Sequence, residues 1–305
     1  MALLKSNEIF MKSNFEEAIK TTWFSILGNA LFAIAKGITG IFGNSYALIA
    51  DAIESTTDVF SSIFVLLGLK YANKPPDANH PYGHGKAEPL VTFAIVGFLV
   101  ASATVIAYQS IEHIQTPHEI PEPYTLIVLA IIVVIKEFFY RVVSKKSDET
   151  KSTALKADAW HHRSDAITSL MAFIGISIAL FLGKGYEAAD DWAALLASGF
   201  ILYNAYKILR PALGEVMDEH MYGDMIKNIR KEAEKVPGVK ETEKCLVRKA
   251  GMTFHVDLHV AVNAGITVKE GHYIAHKVKD RLLSELPEIA DVLIHIEPFE
   301  ESNQF

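Results

Sequence analysis

The chain has 305 residues, 50% hydrophobic and 21% charged, with 29 Lys and Arg against 36 Asp and Glu and a formal net charge of −7. No Lys/Arg-rich stripe with interleaved aromatics is present, so nucleic-acid binding has no support; the single cysteine, Cys245, excludes an internal disulfide framework and argues against a thiolate-rich metal site. The distribution is more telling than the average: apolar residues pile up between Thr22 and Leu209 and charge concentrates from Glu215 to Glu300, which predicts a membrane part and a soluble part.

The segment Met1–Lys20 is charged and has no apolar core before a small-residue cleavage site, so it does not read as a signal peptide. Six membrane spans are predicted after it, at Trp23–Phe42, Ser45–Leu69, Leu90–Ile111, Tyr124–Val143, Thr153–Leu182 and Asp190–Leu209, since the hydrocarbon core needs about 20 mostly apolar residues per helix. The second carries Asp51, Glu54 and Asp58, and the fifth Asp158, His161 and Asp165; their apolar flanks, Val59–Leu69 and Ile167–Leu182, are too continuous for soluble amphipathic helices. Lys and Arg gather on alternate connections (Lys5, Lys12 and Lys20; Lys70, Lys74 and Lys86; Arg141, Lys145, Lys146 and Lys151; Lys207 and Arg210). By the positive-inside rule both termini are cytoplasmic, in a multi-pass protein of the inner (plasma) membrane.

The expected division is a six-helix membrane domain over 1–210 and a cytoplasmic domain over 211–305. In the latter, Tyr222–Lys235 reads as a helix broken by Pro237-Gly238, Lys244–Arg248 and Thr253–Val262 as strands, Val268–Leu286 as a second helix and Asp291–Ile296 as a last strand. Alternation through Phe254, Val256, Leu258 and Val260 marks the middle strand as half-buried. The order αββαβ suits a ferredoxin-like α+β sandwich.

The strongest chemical signal is an internal repeat. Asp51–Asp58 and Asp158–Asp165 both read D-A-x-[E/H]-x-x-x-D. In each, the last two ionisable positions are four apart and share a helical face, so two such helices face to face would offer Glu54, Asp58, His161 and Asp165 to one point. Three carboxylates and an imidazole can close a four-coordinate site for a borderline divalent cation. A charge at bilayer depth costs at least about 2.5–3.5 kcal/mol and needs a partner or a cavity; a bound cation or captured protons would relieve the repulsion. The plainer reading is a set of interhelical salt bridges to Arg163 or Lys156. Asp51 and Asp158 fall one turn away from the set.

Two further clusters lie on the cytoplasmic side. The connection Lys74–Lys86 holds Asp77, His80 and His84, stiffened by Pro and released by Gly, which can wrap one cation or form a polar turn. In the tail, His255, Asp257 and His259 share a strand face, His272 and His276 are four apart on a helix, and His295 and Glu297 share a face of the last strand. A metal-sensing site from His259, His272, His295 and Glu297 is expected there; His113, His118 and His220 read as incidental.

These stretches carry a resemblance. The D-A-x-E-x-x-x-D run at Asp51–Asp58, PPDANHPYGHGKAE at Pro75–Glu88 and ALKADAWHHRSD at Ala154–Asp165 resemble the cation diffusion facilitators, and the likeness covers nearly the whole chain. It implies a homodimeric metal/proton antiporter embedded in membrane lipid, a transport site from Glu54, Asp58, His161 and Asp165, and a loop site from Asp77, His80 and His84. It further implies a dimer-interface metal site from His259, His272, His295 and Glu297, and an interlocking charge pair between protomers from Lys86 and Asp218. Two departures stand out: Glu54, where zinc members usually have His or Asp, and Glu243, where some members have a tail histidine. An oxygen-rich site drifts toward iron or manganese, while His161 argues against the manganese subgroup. The expected substrate is zinc, then iron, with manganese, cobalt and cadmium open. The expected mechanism is alternating access, with His161 able to exchange metal for a proton. A membrane metalloenzyme would want an H-E-x-x-H helix or a nucleophile arrangement, and neither is present. A pure metal sensor would need only the tail.

Overall fold

The computed structural model describes residues 2–42, 46–115, 123–182, 186, 188–219 and 221–299. The side chains of Asp51 and Glu54, and the residues His118 and His220, lie outside the described set. Six long helices come first: α1 (Ala2–Phe42), α2 (Tyr46–Ala72), α3 (Ala87–Gln115), α4 (Tyr124–Thr150), α5 (Thr153–Leu182) and α6 (Ala189–Val216). After them come α7 (Gly223–Ala233), β1 (Val239–Ala250), β2 (Thr253–Val262), α8 (Val268–Glu285) and β3 (Ile289–Pro298). The chain forms two compact units, one of Glu17–Ala72 and Ala87–Ala212, the other of Met1–Glu16, Asn73–Lys86 and Leu213–Phe305.

Among the described residues, four segments of the chain are long and apolar enough to cross a membrane: Lys12–Ala35, Ala87–Gln115, Thr153–Leu182 and Asp191–Val216. On α4 the exposed side is apolar, with Ile127, Ile131, Val134 and Phe138 at three- and four-residue spacing, while Lys136, Phe139 and Val143 turn inward. That is the pattern of a helix with one face to lipid and one to its neighbours.

Helices α4 and α5 make a hairpin through Lys151 and Ser152. Lys151 ends α4 in the left-handed conformation, φ 60°. The buried Glu88 carboxylate of α3 accepts from the Ser152 hydroxyl and from the Ala154 backbone N–H at 3.2 Å, which satisfies open donors at the start of α5 and favours a negative charge there.

The second unit contains a three-stranded sheet in the order β1-β2-β3, antiparallel between β1 and β2 and parallel between β2 and β3. Its core joins Ile226 and Ile229 of α7, Val256 and Leu258 of β2, and Val278 and Leu282 of α8. A capping box starts α8: the Thr267 hydroxyl accepts from the Glu270 N–H, and the Glu270 carboxylate accepts from the Thr267 N–H at 2.8 Å. The element order is the expected αββαβ, with a longer first strand. β1 starts at Val239 rather than Lys244 because its pairing shifts register twice, between Val239 and Glu241 and between Thr242 and Cys245, and such shifts erase the two-residue period that sequence reading depends on.

Residues 73–86 pack within this same unit. Tyr82 meets the His255 ring edge-on at 6.1 Å and the Arg248 guanidinium stacks over it at 4.6 Å. Gly85 passes so close to Ala250 that a Cβ there would stand 2.5 Å from its carbonyl carbon and oxygen.

Candidate metal centres

The repeat motifs of α2 and α5 do converge in part. His161 Nε2 lies 2.8 Å from Asp58 Oδ1 and 4.0 Å from Asp165 Oδ2, and one ligand atom from each of the three lies within 4.8 Å of the others. Asp58 and His161 are buried, and Asp165 is partly so. The three border a cavity of about 110 Å³ that the hydroxyl-bearing Ser61, Ser102 and Ser164 also line. The buried His161 Nδ1 has no hydrogen-bond partner among the described residues. Two carboxylate oxygens and an imidazole nitrogen around a small polar cavity can take a borderline divalent ion.

A fourth side chain sits among them. Lys136 of α4 reaches in with its ammonium 2.9 Å from Asp58 Oδ2 and 2.8 Å from Asp165 Oδ2, and only 2% of its side chain is exposed. The two cations available to the salt-bridge reading are elsewhere: Arg163 stacks on Tyr140 at 4.4 Å, and Lys156 lies 3.7 Å from Asp148. The signal for Lys136 was a solitary lysine in the run Tyr124–Tyr140, where an ionisable residue marks function until shown otherwise.

Asp158 stands outside the ligand group. Fully buried, it accepts from Ser25 Oγ at 2.8 Å and Ser62 Oγ at 3.3 Å, and the Ser25 hydroxyl also lies 3.2 Å from His162 Nε2. Asn29 joins the two groups: its Nδ2 donates to Ser62 Oγ and its Oδ1 accepts from Lys136, both at 3.4 Å. A buried polar network of this kind stands or falls as a unit.

The loop residues form a second cluster. His80 Nδ1 lies 3.1 Å from Asp77 Oδ1 and His84 Nε2 lies 3.4 Å from Asp77 Oδ2, and one ligand atom from each of the three lies within 4.8 Å of the others. Hydrogen bonds from the backbone N–H groups of His80 (2.7 Å) and Asn79 (2.9 Å) hold the Asp77 carboxyl below its ordinary range. His84 Nδ1 lies 3.3 Å from the Lys74 carbonyl; a proton on that nitrogen leaves Nε2 as the ligand atom. Lys86 pairs with Asp218 at 2.5 Å within the one chain and donates to the Glu215 carbonyl.

In the tail, β2 and β3 place His259 directly beside His295. His259 Nδ1 and Glu297 Oε1 are 2.5 Å apart, His295 Nε2 is 3.7 Å from the same oxygen, and the trio forms a third candidate group. His272 is not part of it; it faces His276, Nε2 to Nε2 at 3.1 Å. Glu243 takes a place beside Glu297 instead: the hydrogen bond between the two carboxyls pushes Glu243 up, while the hydrogen bond with His259 holds Glu297 down. Outside these groups, His113 lies 3.4 Å from Asp191.

Residues 22–217 match the family described as the cation efflux transmembrane domain, and residues 221–299 match the cation efflux protein, cytoplasmic domain. The chain is 30% identical over 285 residues to the manganese efflux system protein MneP of Bacillus subtilis, covering 92% of this chain and 96% of MneP. It is 30% identical to metal tolerance protein C1 of Arabidopsis thaliana, with 92–93% of this chain aligned in these two relatives but only 63% of the plant protein's length. It is 28% identical to the cation-efflux pump FieF of Serratia proteamaculans, over 88% of this chain and 89% of FieF.

Proposed function

This chain belongs to the cation efflux family, the cation diffusion facilitators, and on that premise we propose that it exports zinc from the cytoplasm in exchange for protons. As a family member it is a multi-pass membrane transporter of divalent metal cations and not an enzyme. The observation that carries the finer reading is the convergence of Asp58, His161 and Asp165 from α2 and α5 on one cavity, with Glu54 one turn before Asp58 as the proposed fourth ligand. An imidazole among carboxylates favours zinc over harder ions.

Antiport has an energetic reason. Moving one charge against 100 mV costs about 2.3 kcal/mol, so a divalent ion leaving a negative interior costs roughly twice that. One returning proton halves the charge moved and two cancel it. His161 and the carboxylates bind either metal or protons, which is how exchange couples to the gradient.

We place both termini in the cytoplasm and the protein in the inner (plasma) membrane, on the distribution of Lys and Arg. We take the working form to be a homodimer, supported by the match of the tail to the efflux-protein cytoplasmic domain. The loop trio Asp77, His80 and His84 and the tail trio His259, His295 and Glu297 are proposed as regulatory metal sites, with His272 reaching the tail trio from the partner subunit. A manganese-selective reading has its own support in the oxygen-rich ligand set and in the name of the MneP relative.

Flux in proteoliposomes tests these readings. Zinc, iron, manganese, cobalt and cadmium would each be offered with and without a pH gradient. Zinc-selective, gradient-coupled flux that Asp165→Ala abolishes in a normally inserted protein is expected; manganese-selective flux would establish the second reading, and flux retained by Asp165→Ala would remove the site.

A further inference from the structure

We propose that Lys136 is a tethered competitor for the transport site: its ammonium occupies the position between Asp58 and Asp165 that a metal ion must take, and so sets the affinity at which metal is bound and let go. The inference rests on the reading of Asp58, His161 and Asp165 as the transport site.

Geometry makes the competition unavoidable. The ammonium is 2.9 Å from Asp58 Oδ2 and 2.8 Å from Asp165 Oδ2. A metal ion bonded to those carboxylates at about 2.1 Å would lie no more than about 5 Å from an ammonium left in place. Two like charges that close inside a low-dielectric site repel strongly. Metal loading therefore requires the lysine to withdraw.

The structure offers a place to withdraw to. Asn29 Oδ1 already accepts from the ammonium at 3.4 Å, on the α1 side of the site. The ring of Phe32, one turn further along α1, has its centroid 5.9 Å from Nζ, within cation–π range. A side-chain amide oxygen and an aromatic face can hold the cation while both carboxylates turn to the metal. A lysine serving only to neutralise two acids would need neither, nor a cavity beside them.

Charge completes the argument. Asp58, Asp165 and Lys136 together carry −1, and +1 with a divalent ion added. Without the lysine the carboxylate pair carries −2, the arrangement that low-dielectric surroundings penalise most. The ammonium thus weakens metal binding while it holds the carboxylates ready, the compromise that a carrier needs if cargo is to leave as well as enter.

The test is initial-rate zinc and manganese flux into proteoliposomes for the full-length wild type, Lys136→Met, Lys136→Gln and Lys136→Arg. Removal of the competitor is expected to lower KM by about tenfold or more and to lower kcat with it, because release slows. Lys136→Arg, which keeps a cation, is expected to stay closer to wild type in KM. A KM that is unchanged or raised in both neutral variants overturns the proposal. If neither neutral variant yields folded protein, Lys136 is a structural counter-ion and the proposal also falls. Asp165→Ala separates the two levels: flux lost there with KM unmoved in the neutral variants defeats only the lysine's role, whereas flux retained there defeats the transport site beneath it.

Discussion

Glu215, at the end of α6, and Lys249, in β1, form a 3.0 Å ion pair almost wholly shielded from water, with side-chain exposures of 1% and 7%. Glu215 also accepts from the Gly251 N–H at 3.3 Å through its carboxylate and from Lys86 through its backbone carbonyl. It is the junction at which the end of α6, the loop and the sheet meet within one unit.

Removing one partner of a buried pair strands the other charge, at a cost of about 3–5 kcal/mol. Glu215→Ala and Lys249→Ala are each expected to lower the melting midpoint of the tail markedly. The double replacement Glu215→Met/Lys249→Met should recover most of the loss. Thermal unfolding followed by intrinsic fluorescence distinguishes these outcomes; a double variant as unstable as the singles would show that the pair does more than neutralise itself.

At the proposed transport site, His161→Asp exchanges the one nitrogen among the proposed ligands for oxygen. Harder ions gain from that exchange and borderline ions lose. The ratio of manganese to zinc flux is expected to rise about tenfold, equivalent to about 1.4 kcal/mol. Competition assays with both ions present measure it directly.

Gly85→Val would drive a side chain into the backbone of Ala250. Overpacking against backbone costs about 1–3 kcal/mol, and here the easiest relief is for the loop to lift from the sheet. Faster protease cleavage within residues 73–86 is expected. Gly97→Ala on α3, where a Cβ meets nothing within 4 Å, is the control and should leave both stability and cleavage unchanged.

The Glu243–Glu297 pair gives a pH signature. The folded pKa of Glu243 is raised, so its favourable contribution is present below the ordinary carboxylate range and is lost as pH rises through the raised value. The folded pKa of Glu297 is lowered, so its contribution is present above that range and disappears only in stronger acid. Glu243→Gln keeps a hydrogen-bond donor and removes the repulsion. It should raise the melting midpoint at pH 7 with metal absent, and the gain should vanish at about pH 4 or below, near the ordinary glutamate value. A gain that persists in acid would mean the two carboxyls do not share a proton.

Cys245 is buried and its thiol is pushed up to about 11 by that burial. At pH 7.5 the thiolate is on the order of one molecule in a few thousand. N-ethylmaleimide should label the native protein at least about a hundredfold more slowly than the denatured protein. Cysteines introduced elsewhere can then be labelled against a silent background.

The parts of this molecule that sequence exposed are those whose geometry is local. Spacing of four placed His161 and Asp165 on one face, and alternation put Phe254 to Val260 inside and His255 to His259 outside. Lys136 escaped because one lysine in an apolar run is equally compatible with a side chain that reaches the interface; only the packing of α4 against α5, which brings the ammonium to Asp58 and Asp165, decides where it lies. Glu243 was marked only by the resemblance, because it sits in a register shift of β1, where no face can be assigned from period. The docking of Gly85 on Ala250 spans 165 positions of chain and leaves no local trace beyond a glycine. His272 illustrates the limit from the other side: the resemblance grouped it with His259, and within one chain it faces His276.

The tail unit is not one continuous stretch of chain. A fragment cut at Leu213 for crystallography or calorimetry would keep all three strands and both helices, and would leave Tyr82, Gly85 and the Asp77–His84 cluster behind. Arg248, His255 and the Ala250 backbone would lose their cover. Binding isotherms recorded on such a fragment would report only the His259–His295–Glu297 station and miss the loop station of the same unit, and its melting curve would describe a truncated body. Splicing residues 73–86 back through a flexible linker would return the Tyr82 and Gly85 contacts and the loop station, and leave out only Met1–Glu16 of the unit.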